Sequence, residues 1–303
     1  MSNITPARNT NSTIYFPTLE AALLLVAIFW GTSYGLTKQA LIYTSVMMFI
    51  AIRFSLTCLV LLPMTVRDLK TARSSDWKVA LPTGLILAAI FAFEVMGVFK
   101  TTASNAAFLI SLSVIFTLFV EALVNKSAIN KTMLILALAS IVGVFLLTRS
   151  TRFEMELNYG DYFILSAAVL RALMVTTTKK LTDGKKITNG TLTCIQSFVV
   201  AMCALGIVLI DSDLNFELPT HYLFWGMMCY LVVCCTLYAF FVQNHAVRKL
   251  SPTKVSLLMG SEPLFGALFA VVWLNESLSI IQIIGGCIIF VCVIMASLLK
   301  TTD

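Results

Sequence analysis

A chain of 303 residues, 59% hydrophobic and 12% charged with a mean hydropathy of +0.92, lies far from the composition of soluble domains. Lipid cannot satisfy free backbone groups, so only helices or closed barrels span it, and the apolar runs here are too long and too unalternating for barrel strands. The net charge of +6 then belongs to membrane orientation, and no nucleic-acid partner is expected.

Stretches of about 20 apolar residues predict ten helices. In chain order they run from Pro17 to Lys38, Thr44 to Val66, Trp77 to Val98, Thr101 to Val124, Thr132 to Leu147, Gly160 to Thr178, Asn189 to Ile210, Thr220 to Val242, Ser251 to Trp273 and Ile280 to Leu299. The first follows a polar segment with no basic n-region or small-residue cleavage site, so it reads as a retained helix rather than a signal peptide. With an even number of spans, the N-terminus, every second loop and the C-terminus share a side. Fifteen basic residues fall there: Arg8, Arg67, Lys70, Arg73, Lys78, Lys126, Lys131, Lys179, Lys180, Lys185, Lys186, Arg248, Lys249, Lys254 and Lys300. Only four, Lys38, Lys100, Arg149 and Arg152, fall opposite. The positive-inside rule places both termini in the cytoplasm, and the short loops suit a bacterial inner membrane. All eight cysteines lie within predicted spans, which argues against a disulfide framework or zinc site and for buried small hydrophobes.

The chain repeats itself. "TASNAAFLISLSVIFTLFVEALVNKSA" from Thr102 aligns without gaps on "SPTKVSLLMGSEPLFGALFAVVWLNES" from Ser251, an offset of 149 that also places Glu94 on Gln243 and Lys100 on Lys249. "WGTSYGLTK" from Trp30 falls on "RALMVTTTK" from Arg171 at offset 141, with Glu20 on Asp161. Each half, residues 1–150 and 151–303, thus holds five spans, and an odd number forces the halves into opposite orientations. That is the inverted-repeat plan of secondary transporters, whose substrate site lies near the midplane between the halves.

These residues reach a family. "FWGTSYGLTKQAL" in the first span, "AIRF" from Ala51, "GDYFILSAAVLRAL" opening the second half and "LSPTKVSLLMGSEPLFGALFAVVWLNESLS" in the ninth span resemble the EamA-type transporters of the drug/metabolite transporter superfamily. The resemblance covers nearly the whole chain, and Glu262-Pro263 followed by Asn275-Glu276 carry it most specifically. It implies an all-α integral membrane protein of ten helices around a central cavity, exporting amino acids or toxic compounds without ATP. The first half departs from the pattern. Ser113-Val114 stand where the second half has Glu262-Pro263, Lys126-Ser127 replace Asn275-Glu276, and Arg171 occupies the position matching Trp30.

Charges inside a bilayer cost a few kcal/mol or more and so mark a pairing or a path. Five are candidates: Arg53, Glu94, Glu121, Arg171 and Glu262. Glu121, near the end of its span beside Lys126, is expected to snorkel. Arg53 and Glu94 fall at similar depth, so a structural salt bridge is one reading, and Arg53 exchanging between Glu94 and a substrate carboxylate is the other. Arg171 and Glu262 lie nearer mid-span. Pro263 frees a carbonyl of the preceding turn, and Gly260 and Gly266 permit close packing, which suits a gate or binding site as well as a plain kink. Glu262 and Glu94 are the candidates to carry a coupling proton, and no other cofactor or metal is expected. Trp30 and Tyr34, spaced i, i+4, share a face. They read as ordinary packing or as an aromatic wall with Tyr238, Gln196 and Gln243 as companions from the other half. His221 and His245 sit near the membrane edges as interfacial residues.

Two motifs point elsewhere and fail on context. Gly31-Thr32-Ser33-Tyr34-Gly35 spells a nucleophile elbow, but such a turn follows a strand, and here Gly31 and Gly35 fit a small-residue helix face. Gly160-Asp161 is shared with intramembrane aspartyl proteases, yet no second intramembrane aspartate accompanies it. The reading is therefore an inner-membrane secondary transporter, monomeric or homodimeric, exporting amino acids or related small metabolites by alternating access. The third, fourth, eighth and ninth spans are expected nearest the cavity. A drug exporter or an importer of the same fold is the alternative, and an intramembrane hydrolase is disfavoured.

Overall fold

Apolar runs that must satisfy their own backbone become helices, and in a computed structural model every regular element is helical among the described residues, which are 18–126, 128–148, 158–210, 218–274 and 278–299. The first half comprises α1 (Thr18–Ala40), α2 (Val46–Lys70), a 3₁₀ turn (Trp77–Val79), α3 (Ala80–Lys100), α4 (Ala103–Ser111), α5 (Ser113–Asn125) and α6 (Lys131–Thr148). The second comprises α7 (Tyr159–Thr182), α8 (Asn189–Ile210), α9 (Tyr222–Val232), a π-helical stretch (Val233–Tyr238), α10 (Ala239–Val247), α11 (Pro252–Met259), α12 (Glu262–Leu274) and α13 (Ile280–Leu298). Nine described stretches are long and apolar enough to cross a membrane. The predicted ninth span is divided at Gly260-Ser261 into two shorter helices.

Three interruptions divide the spans, and of these only a kink near Gly260 and Pro263 was expected. The fourth span breaks at Leu112 and the ninth at Gly260-Ser261; Leu112 and Ser261 are equivalent at offset 149. Beside each break a serine hydroxyl donates back to a carbonyl at 2.6 Å, Ser111 to Phe108 and Ser261 to Leu258. Such back-bonding competes with the helical ladder. The third interruption, in the eighth span, widens to π geometry. Arg8, Arg149, Arg152 and Lys300, the predicted start at Pro17, Ser127 and the Asn275-Glu276 motif lie outside the described residues.

Polar and charged side chains are buried within a largely apolar core, while the outer face carries large apolar side chains. Arg53, Asp68, Gln196, Asn244, Lys254 and Glu262 are buried, whereas Leu59, Leu85, Leu123, Val272 and Ile280 stand exposed. Lipid tails are as apolar as leucine, so close packing and polar contacts hold such helices together. Where α6 meets α13, a Cβ on Gly285 would lie 2.5 Å from the Gly143 carbonyl. Glycine at both positions allows that approach.

Repeat-related contacts recur at opposite ends of the bundle. Lys38, at the end of α1, donates from Nζ to the Thr101 carbonyl at 2.8 Å, and its equivalent Lys179, at the end of α7, donates to the Leu250 carbonyl at 2.7 Å. Thr101 and Leu250 are themselves equivalent at offset 149. Thr102 and Ser251 then cap α4 and α11. Asp161 accepts from the Thr101 hydroxyl, while its equivalent Glu20 pairs with Lys254 at 2.9 Å. In both halves the helix that opens the half is tied to the entry of the broken span.

Candidate functional site

Arg171 is the centre of a charge cluster in which Glu262 is buried and Arg171 and Glu94 are half-buried. From α7 its guanidinium grips Glu94 of α3 with two hydrogen bonds, Nε to Oε2 at 3.2 Å and Nη2 to Oε1 at 3.1 Å, and donates from Nη1 to Glu262 Oε1 at 2.7 Å. Its Cζ lies 4.8 Å from the Trp30 ring, a cation–π arrangement. Tyr34, one turn beyond Trp30 on α1, donates its hydroxyl to Glu262 Oε2 at 2.9 Å. Both Glu262 oxygens are thereby engaged, and the carboxylate opens α12, where unpaired N–H groups and the helix dipole favour negative charge. Bidentate Arg–carboxylate geometry offsets part of the cost of burying these ions.

The cluster borders a cavity lined from α1, α2, α3, α5, α7, α10, α11 and α12. About 50 Å³ of open space remains at its centre, room for waters and not for a metabolite. Repeat-related residues line it in pairs: Trp30 and Arg171, Tyr34 and Val175, Phe91 and Phe240, Glu94 and Gln243, Ser113 and Glu262. The Phe91 and Phe240 rings stand 6.0 Å apart.

Two segments of this chain, residues 19–149 and 158–298, match the model of the EamA-like transporter family. The chain belongs to this family. Among its relatives is an uncharacterized transporter of Archaeoglobus fulgidus, 26% identical over 92% of this chain and 85% of its own. Another is the uncharacterized transporter YcxC of Bacillus subtilis, 25% identical over 71% of each. A crystal structure with a TM-score of 0.75 covers 92% of this chain and 96% of its own at 14% identity, a likeness of fold alone. The chain is a multi-pass membrane transporter.

Within this EamA-like frame some expectations need correction. Arg53 does not pair with Glu94. It donates from Nε to Thr236 Oγ1 at 2.8 Å and from Nη2 to the Cys235 carbonyl at 3.3 Å, with its Cζ 5.1 Å from the Phe91 ring. Equal depth suggested the pair, but α3 packs chiefly on α7 and α8 and only slightly on α2, so Arg171 meets Glu94 first. The π stretch explains where Arg53 goes. One extra residue per turn takes the Cys235 carbonyl out of the ordinary ladder, and it receives both Arg53 and the Trp30 indole, the latter at 2.9 Å.

Tyr238 and Gln196 are not cavity residues. Tyr238 lies in the π stretch, donates to the Ala22 carbonyl at 3.4 Å and meets the Phe29 ring edge-on at 5.6 Å. Residues on either side of a π turn no longer share a face by 3.6 spacing. Gln196 bridges helices, donating to Thr83 Oγ1 at 2.9 Å and accepting from Asn244 at 3.0 Å. Trp30, Tyr34, Arg53, Glu94, Arg171, Gln243 and Glu262 do line the cavity.

Glu121 does not snorkel. Its Oε2 accepts from the Thr253 backbone N–H at 2.8 Å and from the Thr253 hydroxyl, capping α11 from α5. The kink expected at Gly260 and Pro263 is a break of the span at Gly260-Ser261, and Pro263 sits in the first turn of α12, where a missing N–H costs little. Gly260 ends α11 against Val114, and Gly266 packs on Gly31, where a Cβ would lie 2.7 Å from the Gly266 nitrogen. Gly35 meets no such neighbour, so only Gly31 of the expected pair serves close packing. The Ser33 hydroxyl donates to the Trp30 carbonyl at 2.8 Å.

Besides the four expected spans, α2 contributes Arg53, and the first and sixth spans, α1 and α7, also line the cavity. Their contribution was visible in the offset of 141 that aligns Trp30 with Arg171.

Proposed function

We propose that the chain is a secondary transporter of the inner membrane that exports amino acids or related small metabolites by alternating access, with both termini cytoplasmic. One observation carries the reading: residues equivalent in the two repeats line a single cavity, and the charges buried there come from both halves. Inverted repeats that share a midplane site can expose it to either side by rocking against one another. The present 50 Å³ fits a contracted state that must widen to admit a solute. Residues 1–150 and 151–303 would be the moving halves, hinged near the breaks at Leu112 and Gly260-Ser261.

A proton is the coupling ion in this reading. Two carboxylates share one guanidinium, so the Glu94–Arg171–Glu262 cluster holds one negative charge in excess when both are ionised, and protonation removes it. Glu262 faces Arg171, Tyr34 and, through Arg171, Glu94. Mass spectrometry of medium from cells expressing the wild type or Glu262→Gln at matched membrane abundance tests both claims. Enrichment of particular amino acids by the wild type alone supports export that uses Glu262. An unchanged medium together with raised tolerance of toxic compounds would replace metabolite export with drug export.

A further inference from the structure

The repeat builds the two ends of the bundle from equivalent positions, and they are held shut in different ways. At the end where α11 begins, three side-chain contacts in succession join the first half to the second. Nearest the cavity, which Ser256 lines, Thr117 of α5 and Ser256 of α11 share a hydrogen bond at 2.9 Å. One turn further along α5, Glu121 Oε2 accepts from the Thr253 backbone N–H at 2.8 Å. On the face of α11 beside α1, Lys254 pairs with Glu20 at 2.9 Å, and its Nζ also donates to the Leu299 carbonyl at 2.9 Å and the Ser297 carbonyl at 3.4 Å. All three ammonium protons thereby have acceptors, and Lys254 is 2% exposed.

At the opposite end the same positions are filled differently. The offset of 149 puts Gly266 and Ala270 where Thr117 and Glu121 stand, and neither residue type carries a polar side chain. Asn105 stands where Lys254 stands, but it is exposed. Asp161, the equivalent of Glu20, accepts instead from the Thr101 hydroxyl and from the Asn158 backbone N–H of its own capping box. Among the described residues no ion pair joins the halves at this end. A buried ion pair is costly to separate unless water reaches both charges. We infer that Thr117–Ser256, Glu121–Thr253 and Glu20–Lys254 are the rungs of a polar gate with Lys254 as its latch, so that the ligand-free molecule opens more readily at the α4 end than at the α11 end. In the proposed orientation the latched end is cytoplasmic. Entry of a solute from the cytoplasm, rather than its release, is then the gated step.

This inference rests on the alternating-access reading, and its test separates the two. Amide hydrogen exchange of the purified protein in lipid nanodiscs is followed by mass spectrometry in peptides covering the starts of α4 and α11. In the wild type the α4 start should exchange faster once intrinsic rates are corrected for. Lys254→Met should speed exchange at the α11 start about tenfold and slow it at the α4 start, because opening one end closes the other. Thr117→Val, a near-isosteric change that leaves the ion pair in place, should move both ends in the same directions by less. Asn105→Lys, which offers Asp161 the ammonium that Glu20 already has, should do the reverse. Faster exchange at both ends in Lys254→Met would make Lys254 a purely structural residue and overturn the latch. An α11 start unchanged in both Lys254→Met and Thr117→Val, or a wild type that exchanges no faster at α4, would overturn the gate. A faster α11 start with the α4 start unmoved in every variant would leave the gate standing and overturn alternating access.

Discussion

Trp30 and Arg171 occupy the same position in the two repeats and touch, the Arg171 Cζ lying 4.8 Å from the indole ring. Equivalent positions meet only on the axis that relates the halves, so this contact marks the centre of the molecule. With Trp in one repeat and Arg in the other, the contact is the anchor of an asymmetric charge cluster.

Removing that anchor should be severe. Arg171→Met leaves Glu94 and Glu262 facing the cavity without their cation, at a cost of about 3 kcal/mol for a broken buried pair. Thermal unfolding in detergent should show a marked fall for Arg171→Met and a large recovery when Glu94→Gln and Glu262→Gln are added. A triple variant no more stable than the single one would show that the cluster is not an electrostatic unit.

Tyr34→Phe deletes only the hydroxyl that donates to Glu262. A hydrogen bond to a charged group contributes about 1.5–3 kcal/mol, and Glu262 keeps Arg171, so the lower end is expected. Fold and membrane abundance should be unchanged. Transport with the same pH dependence as wild type would show that Tyr34 has no influence on the Glu262 proton.

Gln243→Leu should behave in the opposite sense in the absence of ligand. The change removes a buried amide oxygen with no partner, whose desolvation costs about 1–3 kcal/mol. The ligand-free variant should unfold at the same or a higher temperature than wild type. A clear loss of stability would mean that the amide holds the fold together.

Gly31→Val drives side-chain atoms into the Glu262 carbonyl and the Gly266 nitrogen, which a Cβ alone would approach to 2.5 and 2.7 Å. Overpacking of this kind costs about 1–3 kcal/mol, and it pushes α12 away from α1, disturbing the Tyr34–Glu262 contact. Reduced stability is expected, whereas Gly35→Val, which meets no neighbour within 4 Å at its Cβ, should be tolerated. Equal tolerance of both would contradict the close packing of α1 on α12.

Hydropathy and intramembrane charge are local signals that survive without a structure, so the helices, the repeat and the four charged residues of the cavity, Arg53, Glu94, Arg171 and Glu262, are legible in the sequence. The equivalence of Trp30 and Arg171 is legible as well, but their contact on the axis is not, because the sequence does not give partners. Depth along a span can be read from residue number, but which helix lies alongside cannot, so Arg53 was given to Glu94 while Arg171 takes that carboxylate and Thr236 takes Arg53. Tyr238 was misplaced because nothing in "VCCTLY" announces a π stretch, and 3.6 spacing fails across it. Glu121 was misread because a carboxylate near a span's end looks the same whether it reaches water or caps a neighbouring helix.

The most direct test of export through the Glu94–Arg171–Glu262 cavity uses purified protein in liposomes loaded with a mixture of amino acids, with efflux followed by mass spectrometry under an imposed pH gradient. Wild type should release a subset of the amino acids at a rate that changes with the gradient, and Glu262→Gln should release them slowly and without regard to it. Equal, gradient-independent efflux from both, or none from the wild type, would contradict proton-coupled export through this cavity.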